Sequence, residues 1–178
     1  MKIFSIIFLT TFIISCNPQS SGHLNKSTKQ SVATEVRNKT IIQLRKEKNL
    51  CACGVGSQMM NQICKLKISF FYYKEIDISE ARELLMFAAN TFLNTINSNQ
   101  EICHFSQNFP FKPKNIEVVI YIYKPNGKEP DLGNLTVISM LNGTLKYKVS
   151  NSETYGYNIA DQESYEEAEY KLRIAASD

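Results

Sequence analysis

Residues 77–97 carry the clearest structural pattern in the chain. Asp77 is followed three positions later by Glu80, which is the spacing of a capping box at a helix N-terminus. Apolar residues then recur at intervals of three and four: Ala81, Leu84, Leu85, Ala88, Phe92 and Ile96. This spacing places all six side chains on one side of a helix. Because such a helix buries only one side, it needs a second layer of secondary structure to pack against.

Four segments around this helix have the patterns of β-strands: residues 65–73, 116–123, 135–141 and 144–149. The first segment alternates, with aromatic residues on both faces at its end. The second is apolar almost throughout, which is typical of a central strand. Asn142-Gly143 joins the last two, and this dipeptide is the strongest short signal of a hairpin. We expect a final helix over residues 162–176.

The order strand, helix, strand, strand, strand, helix predicts an α+β fold. We expect an antiparallel four-stranded sheet with the long helix packed on one face, as in cystatin-like and related sandwiches. Such scaffolds host inhibitors, ligand binders and enzymes, so the fold alone implies no activity. We expect the acids of the last helix on a solvated face: Glu163, Glu166, Glu167 and Glu169.

The N-terminus has the pattern of an export signal. Lys2 precedes an apolar run that ends at Ser15-Cys16. The run is about 12 residues long, whereas a membrane-spanning helix needs roughly 20. Residues 1–15 are therefore predicted to be a signal peptide and not part of the fold.

Cys16 is the predicted site of lipidation. Residues 13–16, Ile-Ile-Ser-Cys, resemble the lipobox of bacterial lipoprotein signals, in which the cysteine is acylated, for example with palmitate, and becomes the first mature residue. Two or three acyl chains hold a protein stably on a membrane. Asn17 is not the aspartate of inner-membrane retention, so we expect the outer membrane, on its periplasmic or outer side. The alternatives are a cysteine after an ordinary cleaved signal, or a signal that stays attached.

Residues 16–34 are rich in Ser, Asn, Gln, Lys and Thr, and we expect a flexible tether. Residues 35–178 then form a single α+β domain that begins with a basic helix over residues 35–49. We favour a solvated charged helix that leads into the domain. The alternative is a basic helix that rests on anionic lipid, which Glu35 and Glu47 make less favourable.

Charge and motifs exclude several classes of function. Lys plus Arg number 20 and Asp plus Glu 17, a net charge of +3, which falls to about +2 once Lys2 is removed. This balance gives no electrostatic reason to expect nucleic acid as a partner. No Gly-x-Ser-x-Gly or Ser-x-x-Lys motif is present, and His104 is the only histidine of the domain. We therefore expect no catalysis and no cofactor. Gly54-Val55-Gly56-Ser57 is interpreted as a flexible turn, followed by a short helix over residues 58–64.

The remaining cysteines, Cys51, Cys53, Cys64 and Cys103, are an even set in an exported chain. We favour two disulfides or simply buried thiols, with one of the Cys51/Cys53 pair bonded to Cys64 and the other to Cys103. A zinc site that adds His104 is a second possibility, although its first spacing is short for zinc. A redox-active Cys-x-Cys beside basic residues is the third.

Residues 102–113 are the predicted recognition loop. Phe105, Phe109 and Phe111 are too apolar to lie in water without a reason, and two prolines stiffen the segment. The competing and favoured interpretation is that these rings fold back and make the loop a packed connection. Tyr121, Tyr123 and Tyr147 could extend a recognition surface across the open face of the sheet.

Four stretches carry a resemblance to a known group of proteins: residues 78–85, 92–97, 108–111 and 114–117, which read ISEARELL, FLNTIN, NFPF and KNIE. Residues 54–149 resemble uncharacterised lipoproteins of chlamydia-like intracellular bacteria. That group has no assigned activity. The resemblance implies a lipoprotein of unknown function and transfers no site residues.

Taken together, these patterns predict a lipid-anchored envelope protein that is a non-catalytic interaction or structural module, with a possible protein partner in the envelope. The alternative is a periplasmic protein that binds a small ligand or depends on thiols or a metal, through the segment from Cys51 to Cys64. Exposed, clustered aromatic residues in the loop of residues 102–113, without a closed pocket, favour the first. Convergence of the cysteines with His104 favours the second.

Overall fold

A computed structural model describes residues 28–106, 108–151 and 156–177. Its helices are α1 (Lys29–Lys48), α2 (Ile78–Asn97), α3 (Ile102–Phe105) and α4 (Tyr165–Ala175). Its strands are β1 (Cys51–Met59), β2 (Ile63–Tyr72), β3 (Ile116–Ile122), β4 (Leu135–Leu141), β5 (Thr144–Asn151) and β6 (Gly156–Ser164). The predicted signal peptide, Cys16 and most of the predicted tether lie outside these residues.

The six strands form one mixed sheet, in the order in which they occur along the chain. β2 and β3 are parallel, and every other neighbouring pair is antiparallel. The parallel pair follows from the chain path, since α2 carries the chain from the end of β2 back to the start of β3. The α+β class is confirmed. The expected four-stranded antiparallel sheet is corrected to six strands with one parallel pair.

β1 and β6 are the two strands that the sequence pattern does not predict. β1 occupies the glycine-containing segment expected to be a turn and a short helix, and β6 includes residues 162–164, expected to begin the last helix. Both lie at the edges of the sheet and are largely exposed, so neither requires regular alternation of apolar and polar residues. α4 begins at Tyr165, where the Ser164 side chain accepts a hydrogen bond from the Glu167 backbone N–H.

The N-terminal helix is longer than expected and is anchored to the domain. α1 begins at Lys29, six residues before the predicted start at Glu35, with Thr28 as its N-cap. It buries Val36 and Leu44, among others, and contacts α2, β1 and β2. Residues 29–34 therefore belong to the domain and not to a tether. No helix of the described residues has both the length and the hydropathy needed to cross a membrane.

α2 is the centre of the hydrophobic core. It is capped by Asp77 and Glu80 in the predicted reciprocal arrangement, and its predicted stripe is buried. It contacts β3 and β4 beneath it and α1 and α4 on either side. All three long helices therefore pack on one face of the sheet.

Leu85→Ala should lower the free energy of unfolding by about 2–5 kcal/mol, because Leu85 is fully buried on α2 and its truncation leaves a cavity. Leu132→Ala is the matched control. Its side chain is 67% exposed, so the same substitution should change stability by no more than about 0.5 kcal/mol. Urea unfolding followed by circular dichroism measures both. Equal losses would contradict the assignment of Leu85 to the core.

Candidate functional site

The four cysteines of the domain lie at different places on the fold. Cys51 and Cys53 are on β1, Cys64 is near the start of β2, and Cys103 is in α3. Cys51 lies opposite Phe71 in the β1–β2 ladder. The stretch of β2 from Phe71 back to Cys64 measures about 23 Å, whereas a disulfide needs Cα atoms within roughly 7 Å.

No disulfide joins cysteines within the described residues. The disulfides expected from the Cys51/Cys53 pair to Cys64 and Cys103 are therefore not formed. The reason for Cys64 is that the segment expected to be a turn is an extended strand. That strand holds Cys51 and Cys53 at the opposite end of the hairpin from Cys64.

The structure likewise does not assemble the alternative zinc or thiol site. His104 is exposed on α3 and belongs to a different part of the fold from the β1 cysteines. Within the described ranges, no group of three or more His, Cys, Asp or Glu residues is placed to hold a metal ion. Burial raises the pKa of the Cys53 thiol. A raised pKa is the opposite of what an activated thiolate requires.

The predicted recognition loop is mostly a packed connection. Phe111 is buried, and Phe105 is half-buried against the core. Asn97 at the end of α2 holds the loop in place. Its Nδ2 donates to the Phe111 carbonyl oxygen at 3.0 Å, and its Oδ1 accepts from the Phe111 N–H at 2.8 Å. Only Phe109 of the three rings is exposed, so the loop presents one aromatic side chain and not a cluster.

The face of the sheet opposite the helices has no helix packed on it in the described part of the chain. We call it the open face. Its side chains alternate with the buried core residues of each strand, and they include Lys67, Phe71, Tyr121, Ser139, Lys146 and Lys148. The strand register aligns them in rows. One row contains Phe71, Tyr121, Val137 and Lys148, and the next contains Ser69, Val119, Ser139 and Lys146.

Four rings at the ends of β2 and β3 form the aromatic cluster of the open face: Phe71, Tyr73, Tyr121 and Tyr123. The centroid of the Phe71 ring is 6.1 Å from that of Tyr121 and 5.5 Å from that of Tyr123. The Phe71 and Tyr123 rings meet edge to face at 83°. These distances and angles are those of favourable aromatic pairs. The cluster is therefore a preformed surface whose rings hold one another in position.

Tyr157 extends this surface from β6. Together with Cys53, Ser69 and three rings of the aromatic cluster, it lines a cavity of about 390 Å³; the three rings are those of Phe71, Tyr121 and Tyr123. Small-ligand sites generally begin at about 300 Å³. Tyr157 is 53% exposed, which leaves its ring accessible from solvent. Burial raises the pKa of Tyr123, with a smaller contribution from the Glu129 carboxylate. At neutral pH its phenol therefore keeps its proton and can donate a hydrogen bond.

Several lysines also lie on the open face. Lys65 is 3.3 Å from the Glu117 carboxylate. Lys67, Lys146 and Lys148 have no carboxylate within 4.0 Å among the residues that the structure describes. They are only half-exposed, so their stems cover the centre of the sheet while the ammonium groups point outward. The open face thus combines aromatic rings with unneutralised positive charge.

Glu163 forms a buried charged network on the other face of the sheet. Its side chain is 2% exposed, and it accepts hydrogen bonds from Arg82 Nε, Tyr147 Oη and Lys171 Nζ at 2.6–2.7 Å. Burial acts to raise the pKa of Glu163, but the three donors outweigh it and the pKa is lowered. The expected solvated position of Glu163 is therefore wrong, and so is the placement of Tyr147 on a recognition surface. The network joins α2, β5, β6 and α4.

We compared the chain with known protein families, curated proteins and solved structures. The chain matches no protein-family model, no curated protein and no solved structure.

Part of the candidate site was visible in the sequence. The sequence suggests that Tyr121 and Tyr123, like Tyr147, could extend a recognition surface across the open face, whereas it predicts Phe71 and Tyr73 only as aromatic residues of a strand end. The signal that joins them is the parallel register of β2 and β3, which pairs Phe71 with Tyr121. Nothing local in the sequence specifies that register, because α2 determines it.

Glu163→Gln should lower the free energy of unfolding at pH 7 by about 2–3 kcal/mol, because it weakens charge-assisted hydrogen bonds in a buried network. The lowered pKa of Glu163 stabilises the fold above the unfolded-state pKa of about 4.3, and this stabilisation is lost as the pH falls through the folded-state pKa. As the pH is lowered from 7 to below about 4, the free energy of unfolding should therefore fall less in the variant than in the parent. Glu169→Gln, at an exposed ion pair with Arg173, is the control and should cost about 0.5 kcal/mol or less. Denaturant titrations from pH 3 to pH 7 measure both, and parallel pH profiles for parent and Glu163→Gln would contradict this assignment.

Proposed function

We propose that this protein is a lipid-anchored lipoprotein of the bacterial envelope, held at the outer membrane through Cys16, whose folded domain is a non-catalytic binding module. The anchor is supported by the apolar run of residues 3–14 and the lipobox-like residues 13–16. The resemblance to uncharacterised lipoproteins points to the same class. The binding role is supported by the geometry of the domain.

One observation carries the binding role. The aromatic cluster lies on the open face, where no helix of the described residues covers it. Rings of this size bury a large area when a partner covers them, and tyrosine adds a polar end to that area. A sheet with helices on both faces would use such rings as core. Here they form a surface.

The composition of the open face indicates the chemistry of its partner. The cluster contributes apolar ring faces and phenol groups, and Lys67, Lys146 and Lys148 contribute positive charge without a carboxylate of their own. A complementary partner combines apolar faces, hydroxyl groups and negative charge. A substrate-cleaving or thiol-dependent role receives no comparable support, since the cysteines and His104 do not converge.

Cys16→Ser should abolish acylation, because the oxygen of serine does not replace the thiol that bacterial lipoprotein processing modifies. Cells fed an alkynyl fatty acid should label the parent protein, and fractionation should find the parent in the membrane pellet. Cys53→Ser is the matched control, since it removes an exposed cysteine of the domain and should leave label and pellet fraction unchanged. Label that persists in Cys16→Ser, or that is absent from the parent, would refute the anchor.

A further inference from the structure

We propose that the open face binds an acidic polysaccharide chain, with sugar rings against the aromatic cluster and carboxylates against Lys146 and Lys148. This inference rests on the proposed function and names the partner class of the same surface. It is argued from the phenols of the open face, its charge and its register.

The phenol groups of the open face are available to a ligand. Four tyrosines line it at one end: Tyr73, Tyr121, Tyr123 and Tyr157. Their hydroxyls make no hydrogen bond within the described residues, in contrast to those of Tyr147 and Tyr165. Each phenol can donate one hydrogen bond and accept others. A sugar ring offers matching chemistry, with C–H groups on its flat sides for the aromatic faces and hydroxyls around its edge for the phenols.

Lys146 and Lys148 call for an acidic partner at their part of the open face, whereas Glu129 places one carboxylate near Tyr123 and Tyr157 of the other part. Glu117 is the acid in the row of Lys67, and it is already paired with Lys65. Lys146 and Lys148 lie on one strand two residues apart, so their side chains leave the sheet about 7 Å from each other on the same face. Two ammonium groups at this spacing can meet successive carboxylates of a chain. A neutral polysaccharide would leave them unpaired.

The strand register places both parts of the surface within reach of one chain. Tyr121 and Lys148 are in the same row, separated by the single strand β4, which corresponds to about 10 Å. Between them lie Val137 and, in the next row, Ser139, both buried under neighbouring side chains. Val137 and Ser139 thus form the floor between the cluster and the lysines. A chain that crosses the strands from β3 to β5 therefore contacts the cluster and then the lysines.

Ring geometry argues against single-stranded nucleic acid as the occupant. Proteins that stack successive bases expose flat ring faces as a platform. The rings of the cluster are tilted against one another by 31°, 59° and 83°, so they present edges and hydroxyls as well as faces. The near-balanced charge of the whole chain also gives little of the phosphate attraction on which such binding depends.

Isothermal titration calorimetry on the full-length lipidated protein in detergent tests the proposal. The probe is an oligogalacturonate of about ten sugars, in which every ring bears a carboxylate, and its matched neutral control is a malto-oligosaccharide of the same length. Oligogalacturonate should bind, the neutral chain should bind at least tenfold more weakly, and the affinity for oligogalacturonate should fall as salt is raised. Equal affinity for the two chains would overturn the assignment of the carboxylates to the lysines.

Substitutions locate the site. Lys146→Gln/Lys148→Gln should weaken oligogalacturonate binding at least tenfold and reduce its salt dependence. Lys46→Gln/Lys112→Gln, at two exposed lysines away from the open face, should leave binding within twofold. Tyr121→Ala should weaken binding tenfold or more, whereas Tyr170→Ala, at an exposed tyrosine of α4, should not. Since Tyr121→Ala could disturb the fold, Tyr121→Phe/Tyr123→Phe keeps the rings and removes only the hydroxyls. It should bind several-fold more weakly with an unchanged circular dichroism spectrum.

Each contrary result has a distinct meaning. Oligogalacturonate binding that survives all open-face substitutions would overturn the inference. Binding of oligo-dT or polyglutamate in place of oligogalacturonate, lost in the same variants, would overturn the inference but retain the open face as the binding surface. If none of the three probes binds, the result would contradict both the inference and the proposal that the open face is a binding surface. The proposed lipid anchor is tested separately, by the acylation of Cys16.

Discussion

The packing of α2 against β3 and β4 is the interaction on which the rest of the fold depends. α2 buries a continuous apolar stripe over its whole length and contacts α1 on one side and α4 on the other. It is also the connection that makes β3 parallel to β2. Since a parallel pair requires a crossover, removal of this helix would remove the sheet order as well as the core.

Because the helices pack on one face of the sheet, the side chains of the other face are not covered by a second layer of helices in the described residues. A sheet with one bare face normally alternates apolar and polar residues there, and the open face departs from this with four clustered rings. Side chains of the open face nevertheless cover its centre, where Val119 and Ser139 are buried. The Ser139 Oγ has no hydrogen-bond partner within the described residues. The open face is thus a thin layer of its own, stabilised by ring contacts and lysine stems.

The network around Glu163 has a structural role in the core, whereas the open face is proposed to bind a partner. A buried carboxylate costs free energy unless its charge and lone pairs are satisfied, and Arg82, Tyr147 and Lys171 together meet this requirement. Each donor comes from a different element, so the network links α2, β5 and α4 to β6. Tyr147 faces the core because it alternates with Lys146 and Lys148 along β5, and the network satisfies its hydroxyl there.

Local patterns were sufficient for α2, with its capping box, for the hairpin at Asn142-Gly143, and for the four central strands, β2 to β5, to within about two residues. They were sufficient because the signals involved, a cap, a turn dipeptide and a periodicity, act over a few residues. The α+β class followed from their order. Tyr121, Tyr123 and Tyr147 were expected together as an extension of a recognition surface, and only the first two lie on the open face.

Long-range packing was needed for the rest. β1 and β6 are strands because they pair with β2 and β5, not because their own residues alternate. Glu163 is buried because α2 and α4 bring Arg82 and Lys171 to it. The four rings meet because α2 returns the chain in parallel and sets Phe71 beside Tyr121. Pairing partners and register depend on residues far apart in the chain, which is why local patterns predicted the core of this domain better than its open face.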